Sequence, residues 1–371
     1  MRVGIPTEIK NNENRVAITP AGVDELVRNG HDVFVQRNAG AGSSIRNEHY
    51  EAAGAKLLDS AEEIWAAGDL ILKVKEPIAA EYGLMRPDQV LFTYLHLAAS
   101  RECTEALINA GTTSIAYETV QLADGSLPLL APMSEVAGRL ATQVGAYHLM
   151  SHGGGRGVLM GGVPGVRPGR VVVIGAGVSG RNAASIALGM QAEVTLIDRN
   201  IPRLRDLDLA FHGRCRTVSA NPMEIESAVL EADLVIGAVL VAGTKAPTLV
   251  SNELVRRMKP GSVLVDISID QGGCFEDSRP TTHADPTYRV HDSVFYCVAN
   301  MPGAVAHTST YALTNATLPY ITSLAARGWR DALAGDPALA RGLSTVGGQL
   351  TSAPVAEAHG LTALSPADAL S

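Results

Sequence analysis

Short unbroken apolar runs recur along the chain, separated by longer stretches in which apolar positions return every three or four residues. Val171, Val172, Val173 and Ile174 form the clearest run. Runs of this length fit strands buried on both faces of a parallel sheet, and the longer period fits amphipathic helices. In the first part of the chain the pattern predicts strands at 2–8, 31–36, 70–75, 89–96 and 113–118. Helices are predicted at 21–29, stopped by Gly30, and at 61–67 and 101–110. Such alternation predicts parallel βαβ units. Pro132 opens a predicted helix reaching residue 150, with Val136, Leu140 and Val144 on one face, which reads as a bridge between two domains. Further strands at 171–174, 193–198, 232–240, 261–270 and 293–300 fit a six-stranded pattern in two halves. A helix at 309–327 is placed back on the first domain. Residues 153–169 read either as a flexible connection or as a hairpin packed through Val158, Leu159 and Met160, against another subunit for instance. The tail from Gly328 onward carries little signal.

The expected fold is therefore α/β, with two doubly wound Rossmann-like domains and a catalytic cleft between them. Residues 1–130 plus 304–371 form a discontinuous substrate and catalytic domain, and residues 131–303 a dinucleotide-binding domain.

Composition narrows the function classes. The 371 residues suffice for two cores, and 46% hydrophobic with 18% charged residues describes a compact enzyme. A net charge of -8 argues against nucleic-acid or anionic-membrane partners. The amino terminus lacks the apolar core of a secretory signal and no run is long enough for a membrane helix, so a cytoplasmic location is expected. Cys103, Cys215, Cys274 and Cys297 are scattered and read as buried free thiols. His148 and His152 share a helix face without an acid in metal spacing, which reads as a polar helix end.

The strand at 171–174 runs into Gly175-Ala-Gly177-Val178-Ser179-Gly180, followed by a helix-compatible segment at 181–189 and a second strand ending at Asp198. This is the context in which G-x-G-x-x-G seats a dinucleotide. Gly175 permits the turn, Gly177 lets the main chain approach a pyrophosphate, and Gly180 lets helix and strand pack closely. Asp198 would accept hydrogen bonds from the ribose hydroxyls and repel a 2′-phosphate, favouring NAD over NADP. Arg199 and Arg203 read either as solvated cations or as groups that tolerate a phosphate. Because ligands sit at the carboxyl ends of such strands, Val239, Leu240, Ile267, Ser268, Ile269, Asp270, Val298, Ala299, Asn300 and Met301 are expected on the nicotinamide side.

The first domain places Arg15, Lys75 and His96 at or after strand ends. Singly, the two cations read as surface groups and His96 as a structural histidine; together they match a site for a small acid. A carboxylate suits a guanidinium and a second cation, and oxidation at a carbon bearing a heteroatom needs a base, for which histidine is suited near neutral pH. Asp270 reads either as a turn acid before Gly272-Gly273 or as a catalytic acid beside the nicotinamide.

The segments M-R-V-G-I-P-T-E-I-K-N-N-E-N-R-V-A-I-T-P, K-V-K-E-P, T-Y-L-H-L-A, A-Y-E-T-V, M-S-E-V-A-G-R, G-G-R-G-V-L-M-G-G-V-P-G-V, D-I-S-I-D-Q-G-G-C-F-E and Y-C-V-A-N-M-P-G together resemble the alanine dehydrogenase family, from residue 1 to about 330. NAD-binding subunits of proton-translocating transhydrogenase share the opening R-V-A-x-T-P pattern, whereas K-V-K-E-P with the L-H-L-A histidine favours the dehydrogenase. The resemblance implies NAD-dependent oxidative deamination of L-alanine to pyruvate and ammonia. It implies Arg15 and Lys75 at the substrate, His96 as proton donor and acceptor, and Asp270 as second catalytic acid. It further implies NAD contacts from Ser134, Val178, Asp198, Ser219, Val239, Leu240, residues 267–270 and residues 298–301, with Arg203 near the adenosine. A homohexamer is implied as well. Some relatives carry a metal pair where this chain has Ser323 and Arg327, so no metal is expected. The alternatives are a transhydrogenase-like subunit and a non-catalytic NAD-binding module.

Overall fold

A computed structural model describes residues 1–239 and 246–370. The described strands, in chain order, are β1 Arg2–Ile5, β2 Asp32–Gln36, β3 Lys56–Leu58, β4 Leu70–Leu72, β5 Val90–Thr93, β6 Thr113–Ala116, β7 Arg170–Ile174, β8 Glu193–Asp198, β9 Cys215–Ser219, β10 Leu234–Gly237, β11 Val263–Asp266, β12 Thr287–Val290, β13 Ser293–Tyr296, β14 Leu343–Val346 and β15 Gln349–Leu350. The chain divides into two compact units, Met1–Met133 with the segment from Val305 onward, and Ser134–Ala304.

In the first unit the sheet runs β15-β14-β6-β5-β4-β1-β2-β3. Strands β1 to β6 pair parallel, and β14 joins β6 antiparallel with a register shift between Leu343 and Thr345. Leu70, Ile71 and Leu72 are fully buried, as a central strand covered on both faces requires. Local chemistry sets the helix starts. Thr19 caps helix Pro20–Arg28, Ser60 and Glu63 form a capping box on Ala61–Ala67, and Ser100 caps Arg101–Ala110, which ends at Gly111 in the left-handed conformation. The long helix Ala306–Arg327 belongs to this unit; its Thr310 accepts the Val16 N–H and bonds the Ser43 hydroxyl.

The tail is more structured than its composition suggested. Strands β14 and β15 extend the sheet beyond β6, and helix Ala353–His359 follows. Both strands are short and antiparallel, and Ser344, Thr345 and Gln349 interrupt their apolar positions, which is why the hydrophobic pattern missed them.

In the second unit the order is β12-β13-β11-β10-β7-β8-β9. The sheet has seven strands rather than the six expected, because Thr287–Val290 adds antiparallel to β13. Its residues are only half-buried, so no continuous apolar run marks it. The core gathers Val172, Ile174, Val235, Leu264 and Phe295.

Several strands end earlier than the apolar runs predicted, for a shared physical reason. Carboxylates intercept the backbone N–H groups just past the ladder: Glu8 takes those of Val74 and Lys75, Glu118 those of Leu95 and His96, and Asp266 that of Ser268. The chain turns there, so residues 267–270 lie in a 3-10 turn rather than a strand. All four cysteines are buried free thiols. Among the described residues no helix is long and apolar enough to cross a membrane.

Candidate functional site

In the first unit, Arg15 follows β1, Lys75 follows β4 and His96 follows β5, so all three lie beyond the carboxyl ends of parallel strands. Arg15 is 2% exposed rather than a surface cation. Glu13 fixes its plane, accepting from Nε at 2.7 Å and Nη2 at 2.5 Å, while Nη1 lies 3.0 Å from Met133 Sδ. Burial works against the charged guanidinium, but the hydrogen bond and charge of Glu13, with smaller help from Tyr94 and Glu8, hold its pKa above the ordinary value.

Lys75 is half-buried, and its backbone is held by Glu8. That carboxylate is itself anchored by a buried ammonium, Lys73 Nζ, at 3.3 Å, with Glu81 on the other side of Lys73 at 2.9 Å. Burial opposes the Lys73 charge, yet the two carboxylates outweigh it and keep the ammonium protonated. Two lysines two residues apart thus have opposite placements, one locked inside the fold and the other at its edge.

His96 is exposed and sits in the left-handed conformation at φ 48° and ψ 37°, which is uncommon for a residue with a side chain. Glu118 accepts its N–H at 2.7 Å. The imidazole stacks on Tyr94, with ring centroids 5.8 Å apart and an interplanar angle of 10°. The Tyr94 hydroxyl donates to the Leu129 carbonyl at 2.6 Å; burial raises its pKa while Arg15 pulls the other way. Glu8, Glu13, Tyr94 and Glu118 were not singled out from the sequence. For Glu8, Tyr94 and Glu118 the signal was an acid or phenol within a few residues of a strand end; for Glu13 it was an acid two residues before Arg15.

In the second unit the three glycines of the turn answer to different constraints. Gly175 has φ +101°, and a Cβ there would lie 2.5 Å from the Ala238 carbonyl oxygen. A Cβ on Gly180 would lie 1.7 Å from the Gly175 carbonyl oxygen. Gly177 has an ordinary φ of -67°, and a Cβ would meet nothing within 4 Å among the described residues. Among the described residues no internal contact accounts for that glycine, which stands at the amino end of helix Val178–Gly189, where backbone N–H groups suit an anion. Val178 is exposed, and Ser179 is half-buried beside it.

The Asp198 carboxylate closes the turn. Oδ2 accepts the Ala176 N–H at 2.6 Å, Oδ1 the Asn200 N–H at 2.8 Å, and Arg203 Nη1 stands 3.5 Å away. Asp198, Arg199, Asn200, Ile201 and Pro202 line an open depression, with Ser219 next to Asp198 in the sheet register. At the carboxyl ends of β10, β11 and β13, Ser268 Oγ donates to the Val239 carbonyl at 2.7 Å, and Asp270 Oδ1 accepts the Asn300 N–H at 3.4 Å. Asp270 is exposed, whereas the Ile269, Val298 and Met301 side chains are buried. Ile267, Ala299 and Ser134 are half-buried, and Leu240 lies outside the described residues.

Residues 4–137 match the profile described as Alanine dehydrogenase/PNT, N-terminal domain, and residues 141–353 that of the C-terminal domain. The chain belongs to the alanine dehydrogenase/PNT family. Within this family it is 66% identical over 370 residues to an alanine dehydrogenase of Mycobacterium tuberculosis, covering 100% of both chains. A solved L-alanine dehydrogenase superposes with a TM-score of 0.94 at 51% identity, covering 97% of this chain and 99% of that one. A transhydrogenase from Sinorhizobium meliloti gives 0.82 at 25% identity, covering 95% and 99%. Both structures share the alanine dehydrogenase/PNT fold, and identity is twice as high to the dehydrogenase.

Proposed function

We propose that this chain catalyses the NAD-dependent, reversible oxidative deamination of L-alanine to pyruvate and ammonia. The observation that carries the reading is the set of groups beyond β1, β4 and β5, a buried guanidinium, a lysine and a ring-stacked imidazole, in a chain 66% identical to an alanine dehydrogenase. NAD fits the second unit because a Cβ on Gly177 would meet nothing within 4 Å among the described residues, which leaves its main chain open to a pyrophosphate. Gly175, Gly177, Val178, Ser179 and Gly180 would hold its pyrophosphate, Asp198 with Arg203 and Ser219 its adenosine, and Ser134, Val239, residues 267–270 and residues 298–301 its nicotinamide side. When bound, NAD supplies a hydride acceptor for Cα of alanine.

The chain's own residues do the rest. Arg15, its plane fixed by Glu13, and Lys75 hold the substrate carboxylate. His96 takes a proton from the water that adds to the oxidised substrate and returns one to the departing amine, yielding ammonia and the pyruvate carbonyl. Asp270 orients the amine or the water. Domain roles follow: the unit built on residues 1–133 binds substrate and the Ser134–Ala304 unit binds NAD. A homohexamer, acting without nucleic-acid, membrane or metal partners in the cytoplasm, completes the proposal. Absorbance at 340 nm with L-alanine and NAD tests it: NADH formation is expected, and NAD binding without alanine-dependent NADH would overturn it.

A further inference from the structure

The imidazole at position 96 projects from a backbone that left to itself would not stay left-handed. Glu118 fixes the amide side of that turn. On the carbonyl side, the Leu97 oxygen accepts from Thr104 Oγ1 at 3.2 Å and, more closely, from His359 Nε2 at 2.7 Å. His359 is the last residue of helix Ala353–His359, and its own carbonyl accepts from Arg101 Nη1 at 3.2 Å, so the helix end is tied on both sides of the turn. Leu350, Val355 and Ala356 pack in the same apolar cluster as Leu95, Leu97, Cys103 and Leu107. This helix begins at residue 353, where the family profile stops, so the contact lies past the shared domain pattern.

We propose that His359 is a positioning residue for His96: by donating from Nε2 to the Leu97 carbonyl it holds the turn in the one backbone conformation that presents the imidazole. The inference rests on His96 being the acid and base of the proposed reaction. An imidazole carrying its proton on Nε2 donates there. A glutamine amide reaches a comparable distance and donates as well; alanine does neither.

The test compares His359→Ala and His359→Gln in the full chain, reading kcat, KM for NAD, and amide hydrogen exchange of the peptide spanning residues 94–104. His359→Ala is expected to lower kcat about tenfold through loss of orientation, leaving KM for NAD within about twofold. Exchange in the peptide should quicken about tenfold in the same variant, with the melting temperature little changed. His359→Gln should restore both readouts. Unchanged kcat and exchange in His359→Ala would overturn the inference, as would equal losses in both variants or a loss matched by a fall in folded protein. If the unaltered chain makes no NADH from L-alanine, the functional reading falls, and the exchange comparison still decides whether His359 clamps the turn.

Discussion

The two units arrange their first strands alike and leave them differently. In one, β1 lies between β4 and β2; in the other, β7 lies between β10 and β8. β7 passes through Gly175, Gly177 and Gly180 straight into a helix, so what it offers a ligand is main chain. β1 passes into residues 6–19 before helix Pro20–Arg28, and that loop offers Glu8, Glu13 and Arg15. One topology therefore yields an N–H cradle suited to a phosphate in one place and a side-chain grip suited to a carboxylate in the other. Strand order sets where ligands go, and the first loop sets which ligands.

The sharpest way to break this division is at His96. His96→Ala should cost about 10² to 10⁴ in kcat while NAD affinity, measured by fluorescence titration, stays near the parent value. A parallel loss of NAD binding would mean the units do not divide the work. Next in size, Lys73→Met should destabilise the fold by about 3–5 kcal/mol in denaturant unfolding, because it strands the carboxylates of Glu8 and Glu81 inside the first unit. The sign of the pH dependence follows from the same ammonium. Its pKa is held above the ordinary 10.5, so its stabilisation is complete below that value and is lost as pH rises beyond it. The parent's melting temperature should fall in that alkaline window more than that of Lys73→Met.

In the second unit the glycines should separate. Gly177→Val should weaken NAD by about tenfold or more with little change in melting temperature, since among the described residues nothing lies within 4 Å of a Cβ there. Gly180→Ala should lower the melting temperature, because its Cβ would strike the Gly175 carbonyl. Equal thermal losses would remove the argument that Gly177 serves a ligand. The smallest effect is expected at Asp198→Ala, which should narrow the preference for NAD over NADP by about tenfold in kcat/KM, the size of one lost charged hydrogen bond.

Much of this was legible in the sequence where apolar runs or glycines carried it. Helices 61–67 and 101–110 fall where the pattern put them, as does the turn after β7. Glu8 and Glu118 were not legible, because an acid that caps a neighbouring strand end has no period and its partners lie far along the chain: Glu8 serves Val74, and Glu118 serves His96. Burial of Arg15 was hidden for a similar reason, since Glu13 takes hydrogen bonds from the guanidinium inside the fold. Strands β12 and β15 escaped because edge strands need no continuous hydrophobicity, and β14 because Ser344 and Thr345 break its short apolar run.

The double duty of Asp198 limits how this chain could ever be retuned. The carboxylate that would turn away a 2′-phosphate also latches the Ala176 amide of the glycine turn. Swapping it for a neutral or basic residue to admit NADP would also take one anchoring hydrogen bond from the loop meant to seat the new cofactor, which caps the gain. A successful redesign has to supply a substitute acceptor for that amide first, and only afterwards change the charge that greets the ribose.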